Sequence, residues 1–421
     1  MIRILLVSFL LSISLKGFGQ KKAEEYVQNH LVSIKSISPD STDYSDLEAI
    51  GAAIGTSRIV MLGEQSHGDG ATMLAKSRLI KYLHEKKGFN VLAFEADFFA
   101  LNAGWGNVTK NSGAIKDFFR KNLHGVWPSN KQCSELFYSY IPTTYQTKTP
   151  LEVSGFDSQI GYHFSNSNLK DSIDFYLRRN RHTFTKTNRY HNEFLPNIER
   201  LKNWVGKDKE SREWMIGLAL TIDTVLAQLG QQYSTDFTYL ALENAREFAN
   251  QLYVYEKSVS SYNIRDAQMA RNLQWLVDSK YPNGKIIVWA ANSHIMKNAD
   301  TALKAKRDAS INWMGTIFNK NSRNSATTYV IGFNSRDGQY ANNSGTKVMP
   351  VGKPFKDGFE TWIDDSVSYG FIDWKKFRAL QPNYSETFKM KSRQMYSTGN
   401  WSDVFDGIFY IRDMTPVEKL K

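Results

Sequence analysis

Four places in this sequence set histidines or carboxylates directly after short apolar runs. Glu64 and His67 lie in Gly63-Glu64-Gln65-Ser66-His67-Gly68, after the run Arg58 to Leu62. Glu95 follows Asn90 to Phe94, Asp157 follows Leu151 to Ser154, and His294 closes Asn292-Ser293-His294 after Lys285 to Ala290. An imidazole can take a proton from water near neutral pH. A carboxylate beside it raises its pKa and steadies the imidazolium that forms. Lys76 and Arg78, shortly after His67, are candidates to stabilise developing negative charge, and Asp157 to contact substrate. The expected chemistry is attack by water activated at His67, with Glu64, Glu95 and His294 around it and neither metal nor cofactor. Covalent routes find no support, because Ser66 sits in Gly63-x-x-Ser66-x-Gly68, out of register with a nucleophile elbow. There is no His-Glu-x-x-His, no phosphate-binding loop and one cysteine, Cys133, with nothing beside it to activate it.

Each residue also has a bland reading. A histidine after a strand can be a hydrogen-bonded structural residue, a glutamate can cap a helix, Asp157 can close an Asx-turn, and Lys76 and Arg78 can be solvated helix residues. What favours a shared site is position. Ligands of open α/β sheets bind beyond the carboxyl ends of the strands, and four such ends carry these groups here.

The elements that would place them are short, continuous apolar runs, the pattern of parallel strands covered on both faces. To the four above are added Thr328 to Ile331 and a last strand at Gly407 to Ile411. Between the first two, Asp69 is placed to cap a helix reaching Lys87, with Gly88 as its stop. From about 168 to 279 strand signals vanish. Helices are expected at 169–179, 191–205, 210–229, 237–259 and 264–277. The fold class is therefore α/β: a mainly parallel central sheet flanked by helices, with a large all-helical insertion between the third and fourth core strands. Residues 20–421 are expected to form one domain.

Residues 1–19 read as a signal peptide: Arg3, an apolar stretch from Ile4 to Leu15, then Gly17-Phe18-Gly19. The mature chain is then exported, periplasmic or secreted, with no transmembrane segment. The formal charge of +11 is scattered, without a nucleic-acid-binding motif, and no partner protein is implied. With 41% hydrophobic and 13% aromatic residues the chain can build a large core without disulfides.

The ordered set Gly63-Glu64-x-x-His67, Ala75-x-x-Arg78-Leu79-Ile80-x-Tyr82-Leu83, Gly88-Phe89, Glu95, Gly155-Phe156-Asp157, Arg265-Asp266-x-x-Met269-x-x-Asn272 and Trp289-Ala290-x-Asn292-x-His294 resembles the erythromycin esterase family. The resemblance implies a small-molecule ester or lactone substrate, His67 as general base, Glu64 and Glu95 as active-site carboxylates and His294 as the second histidine of the late motif. Two positions depart from the family. Lys76 stands where the esterases carry arginine, and Ala291 where they carry the first histidine of that motif. Two alternatives stay open: a metal-dependent hydrolase using the same Glu/His set, and a small-molecule-binding protein that kept the pocket without the chemistry.

Overall fold

Successive side chains of a strand point to opposite faces, so continuously apolar strands need a core on each side. The computed structural model, which describes residues 20–203, 212–254 and 258–420, builds two such cores. Val60, Leu62, Leu92, Phe94 and Trp289 pack into one, Ile59, Met61, Val91, Ala93 and Val288 into the other. The expected leader over 1–19 lies outside the described residues, as do the expected helical residues 204–205, 210–211 and 255–257.

The strands in chain order are β1 (Val32–Ser33), β2 (Ile59–Leu62), β3 (Val91–Asp97), β4 (Glu152–Asp157), β5 (Ile286–Trp289), β6 (Thr328–Ala341), β7 (Val348–Pro350), β8 (Tyr369–Asp373), β9 (Phe388–Lys391), β10 (Tyr396–Gly399) and β11 (Gly407–Met414). The main sheet runs β1-β8-β11-β6-β2-β5-β3-β4, with β7 attached to β6, while β9 and β10 form a separate pair. From β11 to β4 every neighbouring pair is parallel. The class read from the sequence is the one observed.

Helix α1 (Gly70–Lys87) follows β2 and ends at Gly88, whose φ of 72° is the left-handed conformation glycine adopts readily. Asp69 occupies the N-cap position without capping the helix through its side chain. Asp97 does cap the helix after β3, accepting from the Ala100 N–H at 2.9 Å. Between β4 and β5 come α2 (His163–Arg179), α3 (Glu213–Leu229), α4 (Phe237–Tyr253) and α5 (Val259–Trp275). Helices α2, α3 and α4 and the segment around Tyr190–Ile198 share a third apolar core, with Leu177, Ile222 and Phe248 inside it, while α5 packs Met269, Ala270 and Leu273 against the sheet's second core. Boundaries change in detail: α2 begins earlier than 169, α4 ends at Tyr253, α5 begins at Val259, and the helix expected from 191 is continuous from Tyr190 to Asn203 but opens with a wide π-type turn and closes with a tight one. No helix among the described residues is long and apolar enough to cross a membrane.

Candidate active site

The sheet register brings the polar strand ends to one rim. Leu62 pairs with Trp289 on one side and Ile331 on the other, while Phe94 pairs with Trp289 and Gly155. The residues that follow must therefore emerge side by side. Asn292 then locks the rim. Its amide donates to Phe333 O and Ser392 O at 2.7 Å each, its Oδ1 accepts from Phe333 N at 3.0 Å, and its own N–H reaches Glu64 O at 2.8 Å. Gly63 is needed here, since a Cβ would sit 1.9 Å from Asn292 Oδ1.

Glu64 is fully buried and bridges His67 and Lys76. Its Oε1 lies 2.5 Å from His67 Nδ1, and its Oε2 accepts from Lys76 Nζ at 2.6 Å. Burial alone would lower the His67 pKa; the Glu64 hydrogen bond and charge outweigh it and hold the imidazole above its usual 6.5. Lys76, pulled below its ordinary range by burial and countered by Glu64, lies 4.0 Å over the Trp289 ring. The loop carrying His67 is pinned from several sides. Ser66 N–H donates to Asp69 Oδ2 at 2.8 Å, and Gln65 is held by Ser335 Oγ, Lys391 O and Arg393 O. Asp69 itself is pushed up to about 8, chiefly by burial.

A second network centres on Arg265. Its Nε and Nη2 reach Asp157 Oδ1 and Oδ2 at 3.0 and 2.6 Å, and Nη2 also reaches Glu95 Oε1 at 2.9 Å. Glu95 Oε2 accepts the Ala291 N–H at 2.8 Å. His294 is clamped between Asp266, 2.7 Å from Nδ1, and Glu95, 3.2 Å from Nε2. Burial opposes its protonation, yet Asp266 and Glu95 raise it to about 10, so His294 holds a positive charge at neutral pH. Glu95 is held well below the carboxylate range, because His294 and Arg265 overcome the effect of burial. The two histidines thus differ in kind. His294 has both nitrogens engaged, whereas Nε2 of His67 has no partner among the described residues.

Both networks border a cavity of about 390 Å³. His67, Glu95, Asp157 and His294 line it. Three expected residues do not, the first being Glu64, which is fully buried and acts at the cavity through His67. Lys76 is wholly buried behind Glu64, where it acts on the site only through that carboxylate. Arg78 points elsewhere: it pairs with Asp46 at 2.7 Å and donates to Ser36 O and Asp43 O, so the expectation that it faces developing charge is corrected. Lining residues not anticipated from the sequence are His124, Tyr162, Tyr262, Arg265, Trp313, Asn343 and Arg393. Arg265-Asp266, adjacent opposite charges in a helical segment, was the one available signal. His124, Asn343 and Arg393 stand in stretches with no pattern to mark them. Beyond Asn334, Trp362, Trp374 and Trp401 are buried packing residues. Cys133 is buried with its thiol raised to about 12.

Chemically, the arrangement offers one imidazole with a free nitrogen, oriented by a carboxylate and facing a water-accessible cavity. Opposite it stand fixed positive groups, each already balanced by carboxylates. Among the described residues, no three His, Cys, Asp or Glu are grouped as a metal centre would need.

Known proteins show the same outline. The sequence profile described as erythromycin esterase matches residues 84–414. The Bacillus subtilis (strain 168) protein YbfO is 25% identical over 98% of this chain and 96% of its own. A crystal structure of a succinoglycan biosynthesis protein superposes with a TM-score of 0.71 at 18% identity, covering 95% of this chain and 98% of the other. A mutant of the erythromycin esterase EreC in its open conformation superposes with a TM-score of 0.64 at 15% identity, over 92% and 98% of the two chains.

Proposed function

We propose, from the premise that this chain belongs to the erythromycin esterase family, that it is a hydrolase cleaving an ester or lactone by direct attack of water. The observation that carries this reading is the His67–Glu64 pair. With Nδ1 held 2.5 Å from a buried carboxylate, the neutral ring carries its proton on Nδ1 and leaves Nε2 as an acceptor at the cavity. Water hydrogen-bonded to Nε2 loses its proton as its oxygen adds to the carbonyl carbon. Glu64 steadies the imidazolium, and the same proton passes to the departing alkoxide when the tetrahedral intermediate collapses. Glu95, Asp157, Arg265 and His294 form a rigid, charge-balanced wall that orients the substrate.

The substrate class is a small polar ester or lactone. Polar groups dominate the lining, and about 390 Å³ is at the low end for ligand pockets. Ala291, in place of an imidazole, removes one group that resemblance to macrolide esterases would supply. Residues 20–421 act as one unit, exported behind the leader at 1–19.

The test is hydrolysis, followed by mass spectrometry, of erythromycin and a panel of small esters and lactones. Purified protein and its His67→Ala variant are compared, with and without a chelator. Gain of one water on a small ester, lost in the variant and insensitive to chelation, is the expected result. Tight binding without turnover would favour the binding-protein reading; turnover abolished by chelation would favour a metal-dependent one.

A further inference from the structure

Ester hydrolysis by water needs a donor for the carbonyl oxygen as it becomes an oxyanion, and none of the cations expected in that role is free to act. Lys76 is sealed behind Glu64, and Arg78 is bound to Asp46. Arg265 commits Nε and Nη2 to Asp157 and Glu95 and sets Nη1 3.3 Å from His294 Nε2, while His294 is held by Asp266 and Glu95. Arg393 is tied to Asp308 by Nη2, and its side chain, 37% exposed, is screened by water.

His124 is different. It lines the cavity beside His67, with ring centroids 4.7 Å apart and planes at 51°. It stands in the turn before Trp127, whose N–H donates to His124 O at 3.0 Å and whose indole lies 5.6 Å from the imidazole. The ring is therefore held between two aromatic neighbours. Its Nδ1 is buried without a hydrogen-bond partner among the described residues. A buried N–H left unpaired is rarer than an acceptor left unpaired, so the proton belongs on Nε2, the nitrogen left to meet a ligand.

We propose that His124 is the oxyanion donor of this site, presenting Nε2–H to the carbonyl oxygen while His67 activates water on the adjacent side. The assignment rests on the hydrolase reading above and extends it. As the water oxygen bonds to the carbonyl carbon, the π electrons move onto oxygen and the His124 N–H bond strengthens its contact there. When the C–O bond re-forms as a carbonyl, the alkoxide leaves with the proton from His67. His124 itself gains and loses no proton. Burial first, and then the positive charge on His67, push it down to about 4, which keeps it neutral throughout. A neutral imidazole N–H fixed in place can polarise a carbonyl in this way.

The experiment uses p-nitrophenyl acetate as probe with native protein, His124→Ala, His124→Gln and His67→Ala, each checked for native circular dichroism. His124→Ala should lower kcat by about 10²–10³-fold, the usual effect of deleting one oxyanion donor, with KM nearly unchanged. His124→Gln should recover part of this through its amide N–H, and the acid limb of the pH profile should stay in place in both. Long-range ¹H–¹⁵N spectra of the native protein should show His124 neutral and protonated on Nε2 from pH 5 to 8. Native kcat in His124→Ala, or a proton on Nδ1, overturns the donor role alone if His67→Ala is still inactive. Equal turnover by native protein and His67→Ala overturns the hydrolase reading, and the donor role with it.

Discussion

Arg265 and Asp157 are 108 residues apart in the chain and meet through paired hydrogen bonds of 3.0 and 2.6 Å. The same guanidinium reaches Glu95, so one side chain ties the ends of β3 and β4 to helix α5. Lysine keeps the charge but cannot span both carboxylates. Arg265→Lys is expected to lose at least about tenfold in kcat/KM, equivalent to about 1.4 kcal/mol. Arg265→Ala, which leaves two buried carboxylates short of a partner, should cost about 3–5 kcal/mol of stability. Chemical denaturation and ester hydrolysis measure the two effects; native behaviour of the lysine variant in both would deny the fork a role.

The rate should rise with pH as His67 loses its proton, with a midpoint above 6.5 because Glu64 favours the charged ring. Removing that negative charge in Glu64→Gln shifts the acid limb to lower pH and reduces kcat. Removing the opposing positive charge in Lys76→Met shifts the limb to higher pH. A pH–rate profile of kcat/KM for the three proteins checks the signs, and a limb that does not move in either variant would mean the titrating group is not His67.

Lys76 and Arg78 should separate cleanly by function. Arg78→Met breaks a buried pair with Asp46 and is expected to cost about 3–5 kcal/mol, while kcat of the folded protein stays native. Lys76→Met should lower both stability and kcat, since its partner Glu64 also holds the proposed base. Denaturant midpoints alongside kcat decide; a large loss of kcat in folded Arg78→Met would contradict the placement of that side chain.

His294 makes stability depend on pH in a defined direction. Its folded-state pKa of about 10 exceeds the unfolded value near 6.5. The stabilisation from its charge pairs is therefore complete below about 6.5 and is lost as pH rises through about 10. Unfolding midpoints measured across that interval should fall for the native protein. They should fall less for His294→Gln, which has no proton to lose; parallel curves would show that His294 is not the group responsible.

Much of this protein was written locally. Runs such as Ile59–Leu62 and Ile286–Trp289 are apolar without interruption, and only a sheet covered on both faces can dry every residue in them. Their ends had to carry Glu64, His67 and His294 to a common rim once the strands were parallel neighbours. The strand order and the docking of helices were decided by the tertiary structure, because they depend on which faces pack together across long separations. Lys76 and Arg78 make the point. Two positions apart on one helix, they lie on different faces, and only the docking of α1 determined which met Glu64 and which met Asp46. The same holds for His124 and Arg393, each brought to the cavity by elements distant in sequence. No local pattern marks such residues, since their role comes from the charges and spaces of partners that the chain meets only when it is folded.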